Sequence, residues 1–421
     1  MDWKEYPFGD LVDFPPRVPL RKGDSYTFVD MSAITPFSRF VASAEHKLFD
    51  GSSHSRFVDG DVLMARITPC LENGKVAQFK SVSGEKGFGS TEFFVFRPKP
   101  EKLDGDFLYY LSRSDLLWKS AINSMVGASG RQRADAKFLK RVLLKLPSLA
   151  VQRKIAAILT AYDDLIEVNK RRIVLLEKMA EEIYREWFVR MRFLGHQDTR
   201  FVKGVPKGWN VEPISTIGSE IRSGVKKKDL ADDEIYIGLE HIPRKSIAFK
   251  EWATADSIDS NKLHFKERDI LFSKIRPYLH KVGLAHFSGA CSSDTIVLRP
   301  RHQVYEGFLL FTVFSDTFIE LATTASKGTK MPRADWAFLE KLEIKIPSLD
   351  LLEKYQARFE EIFNMIATLL RANQQAVNAH GLLLPRLISG KLSVEDLDIQ
   401  FPPSMQEASS RTEVEPGASY A

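Results

Sequence analysis

The chain has 421 residues, 44% of them hydrophobic and 27% charged, which is typical of a globular protein with two or three domains. Its two cysteines exclude a disulfide framework and a cysteine-rich metal site, and its net charge of +5 permits a nucleic-acid partner without requiring one. No apolar run approaches the roughly 20 residues of a membrane span, and the N-terminus lacks the features of a signal peptide, so we expect a cytoplasmic protein with no membrane partner.

Residues 1–147 form the first predicted domain, in which short β-rich runs mix with helical ones. The apolar runs Tyr26–Met31 and Phe93–Arg97 have the composition of strands, and Asp106–Lys119 has the periodicity of a helix. A glycine-rich basic loop, Gly127–Arg133, follows that helix. The pattern predicts a mixed α/β domain that ends on a basic loop.

Residues 148–193 predict one long helix, because apolar residues recur at alternating spacings of three and four and no Pro or Gly interrupts them. The members of this seam are Ile155, Leu159, Tyr162, Ile166, Asn169, Ile173, Leu176, Ala180, Ile183 and Trp187. Such a seam is typical of one half of a coiled coil. Asn169 is its polar member.

Residues 194–347 repeat the landmarks of residues 1–147 in the same order, which predicts a second copy of the same domain. Gly60–Pro69 corresponds to Arg268–Pro277, and Phe93–Pro98 corresponds to Thr295–Pro300. The stretches 131–150 and 331–350 share nine identities in twenty residues, and each runs directly into a long helix. The second copy carries its own basic loop at 326–333.

Residues 348–392 predict the second long helix, and 393–421 predict a disordered tail because they lack apolar periodicity. The seam of this helix consists of Leu352, Tyr355, Phe359, Ile362, Ile366, Leu369, Asn373, Ala376, His380, Leu383 and Leu387. We expect an α+β protein in which the two helices pair as an antiparallel coiled coil, with the two copies related by a pseudo-twofold axis. Asn169 and Asn373 either meet and fix the helix register or face solvent.

The sequence carries no phosphate-binding loop and no tetrapeptide of the amino-methyltransferases, so its candidate functional residues are binding residues. The E-x-K pattern of Glu343 and Lys345 has nuclease spacing, but short patterns recur by chance and we expect an ordinary strand there. Arg and Lys neutralise phosphates and read guanine, whereas Gln reads adenine. Candidate DNA-binding residues on the basic loops and at two strand ends are Arg66, Thr68, Ser129, Arg131, Gln132, Arg133, Lys274, Arg276, Lys327, Thr329, Lys330 and Arg333.

Two other interpretations of these residues stay open. The loops can be solvated surface, and Arg133 and Arg333 can form local ion pairs with Asp135 and Asp335. The shared identity of the two arginines favours a structural role as much as a DNA contact.

The chain resembles the specificity subunit of a Type I restriction-modification enzyme. The resemblance covers residues 1 to about 395 and rests on motifs that occur in duplicate and in order. These motifs are Leu146–Leu149 and Ile346–Leu349 at the helix entries, Gln152–Ile155, Asp269–Leu271, and Lys207–Trp209 at the start of the second copy.

The resemblance implies two target recognition domains, each reading one half of a bipartite target in double-stranded DNA, and a coiled coil that sets the spacer. It also implies two methyltransferase subunits that bring S-adenosylmethionine and methylate adenine, and a translocating nuclease subunit that can join. The chain itself is then non-catalytic and holds no cofactor or metal. The alternatives are a specificity component of a methylation-only system and a coiled-coil scaffold that binds proteins alone.

Overall fold

A computed structural model describes residues 3–41, 45–81, 84–128, 130–258, 260–326, 328 and 331–405. The chain divides into two compact units, the first comprising residues 1–167 and 374–421 and the second comprising 168–373. Each unit combines one globular copy with part of both long helices. The predicted domain boundaries follow the sequence repeat instead, and they stay a prediction.

The first globular copy is built on two sheets, with strand orders β2-β9-β6-β7 and β4-β3-β8-β5, and on the separate antiparallel pair β1 and β10. The strands are β1 (Lys4–Pro7), β2 (Val12–Asp13), β3 (Ser25–Val29), β4 (Glu45–Leu48), β5 (Ser55–Val58), β6 (Val62–Ala65), β7 (Val76–Gln78), β8 (Lys86–Gly89), β9 (Phe93–Pro98) and β10 (Leu143–Leu146). β3 and β8 pair in parallel, and the other pairs within these sheets are antiparallel.

The second copy repeats this arrangement, which confirms the predicted duplication. Its sheets have the orders β14-β22-β19-β20 and β15-β18-β21-β16-β17, and β13 pairs with β23 as β1 pairs with β10. The strands are β11 (Phe201–Val202), β12 (Val205–Pro206), β13 (Asn210–Pro213), β14 (Gly218–Glu220), β15 (Gly224–Val225), β16 (Ile235–Ile237), β17 (Ala253–Thr254), β18 (Lys262–Phe265), β19 (Ile270–Ser273), β20 (Val282–Leu284), β21 (Gly289–Cys291), β22 (Thr295–Pro300) and β23 (Glu343–Ile346). The parallel pair β16 and β21 matches β3 and β8.

The predicted helix of each copy is in fact two short helices. The helices of the chain are α1 (Gly105–Arg113), α2 (Asp115–Asn123), α3 (Ala136–Arg141), α4 (Leu149–Tyr184), α5 (Glu306–Phe314), α6 (Asp316–Thr324), α7 (Trp336–Leu339) and α8 (Leu349–Ile388). Ser114 and Ser315 interrupt the periodic stretches with extended backbone, and Ser315 accepts a hydrogen bond from the Phe318 amide as an N-cap. One residue with extended backbone therefore divides each periodic stretch into two helices, and only Ser315 also caps the second helix with its side chain.

The long helices bury the predicted seam. Every residue of the two predicted seams is buried or half-buried, including Trp187 in the helical turn Arg185–Val189 that follows α4. In the second unit the pair is antiparallel, since Asn169 lies opposite Asn373 while Tyr184 contacts Tyr355. The Asn169 amide Nδ2 donates to Asn373 Oδ1 at 2.9 Å, and Asn169 is only 2% exposed. The two asparagines meet instead of facing solvent, and their control of register stays a prediction.

The α8 segment of the first unit also runs antiparallel to α4. His380 Nε2 lies 3.8 Å from Asp163 Oδ1, and Leu387 shares a core cluster with Ile155. Pro385 stands inside the helix and cannot donate to the carbonyl four residues earlier. Pro385 and Gly381 both lie on the exposed face of α8, where water can satisfy that carbonyl, and the helix continues to Ile388.

The predicted disordered tail, 393–421, is wrong for residues 393–405. Val394 and Met405 are buried in the core of the first unit, and Lys154 Nζ donates to the Glu395 carbonyl at 2.6 Å. Val394 and Met405 are isolated apolar residues in a polar sequence, so they give no periodic signal, although both pack into the core of the first unit. Residues 406–421 lie outside the described part of the chain.

No single helix among the residues described is long and apolar enough to span a membrane. The bent pair formed by Gln303–Phe314 and Asp316–Thr324 meets that test only when its two parts are taken together, by length and composition.

Candidate nucleic-acid interface

The end of β6 and the basic loop of the first copy, predicted separately, lie side by side. Pro69 cannot donate to a ladder, so regular pairing gives way here to an isolated bridge between Ile67 and Arg133. The Thr68 amide donates to the Gln132 carbonyl at 3.0 Å. This strand-to-loop contact, which we call the first junction, brings Arg66, Thr68, Gln132 and Arg133 together.

The second copy builds the same junction with different side chains. Ile275 bridges to Arg333, and the Arg276 amide donates to the Pro332 carbonyl at 2.8 Å. The Ala334 amide donates to the Lys274 carbonyl at 2.9 Å. In this second junction Lys274, Arg276 and Pro332 stand where the first has Arg66, Thr68 and Gln132.

A carboxylate pairs with the loop arginine of each junction. In the first, Arg133 forms a forked ion pair with Glu92, with nitrogen–oxygen distances of 2.6–3.0 Å, and Arg66 Nε lies 4.0 Å from the same group. The hydrogen bonds from Arg133 lower the pKa of Glu92 and hold it charged. The predicted local partner, Asp135, accepts instead from the Lys137 amide. The ion-pair partner of Arg133 is therefore Glu92, the residue immediately before β9, and not a residue of its own loop.

The second junction is looser. Arg333 Nε lies 3.4 Å from Asp294 Oδ1, and the Lys274 amide donates to the Asp294 carbonyl at 2.8 Å. The paired positions of Arg133 and Arg333 favour a structural role for both arginines. Their assignment to DNA contact stays a prediction.

Arg131 and Arg276 are exposed, as are the ion-paired Arg133 and Arg333. Arg276 has left-handed backbone (φ +51°) and turns the chain next to Tyr278, whose side chain is 52% exposed. Gln132 is half-buried, and the Thr68 hydroxyl donates to its carbonyl at 3.3 Å. An exposed cation on a sharply turned backbone can approach a groove closely.

Four of the predicted DNA-binding residues lie outside the described residues: Ser129, Lys327, Thr329 and Lys330.

A buried ion pair clamps the other end of the strands that carry each junction. Arg97 donates to both oxygens of Asp61 at 2.7 and 2.8 Å, and Arg299 does the same to Asp269 at 2.7 Å. Each aspartate is 1% exposed. Burial raises the pKa of Asp61, and the arginine opposes that rise. Sequence inspection missed these pairs, although the aligned landmarks preserve an Asp and an Arg at equivalent positions.

No group of three or more His, Cys, Asp or Glu residues in the described part of the chain could hold a metal ion. Glu343 and Lys345 lie in β23 as expected for an ordinary strand, and Lys345 Nζ donates to the Gly204 carbonyl at 3.1 Å.

Comparison with known proteins gives a family. Residues 2–178 match the Type I restriction modification DNA specificity domain. The specificity subunit of the Type I restriction enzyme MjaIX from Methanocaldococcus jannaschii is 26% identical over 312 residues, which cover 69% of this chain and 70% of that protein. The HindI specificity subunit of Haemophilus influenzae is 21% identical over 93% of this chain and the whole of that protein. The chain is therefore similar to Type I specificity subunits, over residues 2–178 for the domain model and over most of its length for these relatives.

A solved member of this family shares the fold. The crystal structure of the Type I restriction-modification S subunit from M. genitalium matches 92% of this chain and 96% of its own, with 14% identity and a TM-score of 0.53. The α+β architecture with a coiled coil, expected from the sequence, is confirmed. Specificity subunits are in general non-catalytic.

Proposed function

We propose that the chain is the sequence-specific DNA-binding specificity subunit of a Type I restriction-modification complex. Each globular copy reads one half of a bipartite target, and the coiled coil sets the spacer. The observation that carries the proposal is the duplicated junction, in which one backbone arrangement presents different side chains. Thr68 and Gln132 in the first copy stand where Arg276 and Pro332 stand in the second.

Conserved backbone with changed side chains is what two related readers of different base sequences require. The hydrogen bonds and bridges between strand and loop hold each junction at one geometry. Arginine donates to the guanine O6 and N7 atoms and to phosphates, whereas glutamine suits adenine. Because Arg276 replaces Thr68, the two half-sites are expected to differ in sequence.

Partners supply the chemistry in this proposal. Two methyltransferase subunits bring S-adenosylmethionine and methylate adenine in both halves of the target, and translocating nuclease subunits join for cleavage. The complex acts in the cytoplasm. The protein itself holds neither cofactor nor metal, and its part is to bind, orient and space the DNA.

The direct test is co-expression with the cognate methyltransferase, followed by genome-wide sequencing of methylated adenines. The expected result is one bipartite motif with a spacer of fixed length. A stable complex that leaves no such motif would refute DNA specificity. It would favour the alternative of a coiled-coil scaffold that binds proteins alone.

Exchange of residues 200–345 for those of another family member tests the modular reading. We expect one half of the motif to change and the other half to stay. The remaining alternative, a methylation-only system, predicts the same motif but no cleavage of unmethylated DNA when every encoded partner is present.

A further inference from the structure

A basic cleft of about 740 Å³ opens in the first unit beside the first junction. It lies between the loop after β2, the start of β5, the end of β6 and the start of β9. Arg17, Arg56 and Arg66 line it, together with the hydroxyl-bearing residues Ser53 and Thr91. We propose that this cleft, which we call the arginine cleft, holds the sugar-phosphate backbone of the duplex flanking the half-site read by the first copy. The inference rests on the proposed function.

The charge of the cleft is available to a ligand. Glu92, the carboxylate beside Arg66, is engaged by Arg133 through short hydrogen bonds, while Arg66 Nε is 4.0 Å away. Arg66 Nε is itself buried and forms no hydrogen bond in the part of the chain that the structure describes, but the Arg66 side chain is 35% exposed, which leaves the rest of its guanidinium group for a ligand. Arg17 is exposed, and the Arg56 guanidinium lies 4.9 Å from the centre of the Phe49 ring, which positions it without neutralising it.

The shape of the cleft favours a backbone over an extruded base. An extrahelical base needs an open aromatic face on which to stack. Phe14 and Phe94, which line the cleft, are 7% and 3% exposed, and their rings pack edge to face at 5.0 Å. The exposed prolines Pro15 and Pro19 leave a shallow apolar floor suited to deoxyribose. Exposed hydroxyls and guanidinium groups around such a floor suit phosphate oxygens.

The second copy does not reproduce this surface. The strand registers align Ser219 with Asp13, so Glu220 follows where the first copy has Phe14. Glu220 pairs with Arg222 at 2.8 Å. His264 replaces Arg56 and lies 3.5 Å from a Glu234 carboxylate oxygen. The arginine cleft therefore predicts phosphate contacts beside one half-site that have no counterpart beside the other.

Salt dependence of binding gives the test, because each phosphate contact releases counterions. Full-length chain in its methyltransferase complex is titrated with a labelled duplex that carries the methylated motif, and with a duplex of scrambled sequence, over a range of salt concentrations. Arg17→Gln and Arg56→Gln should each lower the slope of log affinity against log salt by about 0.9, and the double variant by about 1.8. Affinity should fall alike on both duplexes, and the methylated motif should not change.

Three controls make the result decisive. Arg141→Gln removes an exposed charge from α3 outside the cleft and should leave the slope near the wild-type value. Arg17→Lys and Arg56→Lys keep the charge and should restore most of the slope, which separates lost contacts from misfolding. Ethylation of phosphates beside the first half-site should weaken the wild type and have little further effect on the double variant.

If the double glutamine variant keeps the wild-type slope and the preference for the motif, the proposal that the arginine cleft binds phosphates is refuted, while the proposed function still stands. A change of the methylated motif would also overturn it, since the cleft would then read bases. A wild-type complex that binds both duplexes equally would instead refute the proposed function, and this inference with it.

Discussion

The buried clamp of each copy gives the most sharply defined prediction. Arg97→Ala removes both side-chain donors from Asp61, and the Val58 amide at 2.8 Å is then the one hydrogen bond to that carboxylate among those found in the described structure. The aspartate is 1% exposed, so its carboxylate stays largely desolvated when the arginine is removed. The variant leaves a buried charge without its counter-ion.

The magnitude follows from that geometry. Removing one partner of a buried pair costs about 3–5 kcal/mol, chiefly because the other charge stays desolvated. The Arg97 side chain is 28% exposed, so some water can enter after truncation, and we expect the lower limit of about 3 kcal/mol. Arg299→Ala should cost a similar amount, because the Arg299 side chain is 35% exposed and its Asp269 partner is 1% exposed.

The assay is thermal and urea denaturation of the full chain, in which each unit is followed by hydrogen exchange of its own strands. A loss of about 3 kcal/mol should lower the midpoint of the affected unit by roughly 6–12 °C. The exposed substitution Arg21→Ala serves as control and should change stability by less than about 0.5 kcal/mol.

The pH dependence has a defined sign. Burial already raises the pKa of Asp61, and loss of Arg97 should raise it further. A carboxyl group with a raised folded-state pKa binds its proton more tightly when folded, so the defect should be largest at neutral pH and shrink in acid. A loss below about 1 kcal/mol in both Arg97→Ala and Arg299→Ala, or a loss that does not depend on pH, would refute the reasoning.

Two further predictions concern stability. Burial lowers the pKa of His286 to about 4, so the second unit should be most stable above about pH 6.5. Its free energy of unfolding should fall by up to roughly 3 kcal/mol as the pH drops towards 4. Urea titrations over this pH range should show that His286→Gln flattens the dependence. Truncation after residue 392 should lower the free energy of unfolding of the first unit by about 3 kcal/mol or more, because Val394 and Met405 are then missing from its core. A chain that ends at residue 405 should unfold like the full-length protein.

Most of the fold could be predicted from the apolar periodicity of the two long helices and from the repetition of the two globular copies. The seams of both helices are buried, including the polar members Asn169 and Asn373, because a heptad pattern sustained over ten positions has few structural solutions. The duplicated strands could be found because each copy supports the interpretation of the other. The breaks at Ser114 and Ser315 escaped notice because a single residue with extended backbone can end a helix inside an unbroken periodic stretch.

The candidate interface could be predicted only in part. Composition and glycine placement pointed to the basic loops, but not to their contact with the ends of β6 and β19. Glu92 as the partner of Arg133 lies 41 residues away in sequence, and no local pattern reports such a contact. The arginine cleft likewise combines residues from separate loops, so it becomes visible only after the sheets have assembled.

The central claim is that the two junctions read different halves of one target. The most direct measurement is the methylated motif obtained with Arg131→Ala plus Gln132→Ala, and separately with Arg276→Ala, each co-expressed with the cognate methyltransferase. The account predicts that the first variant relaxes one half of the motif, that the second relaxes the other half, and that the spacer is unchanged. Both variants giving the wild-type motif at wild-type levels, or either variant altering both halves, would contradict it.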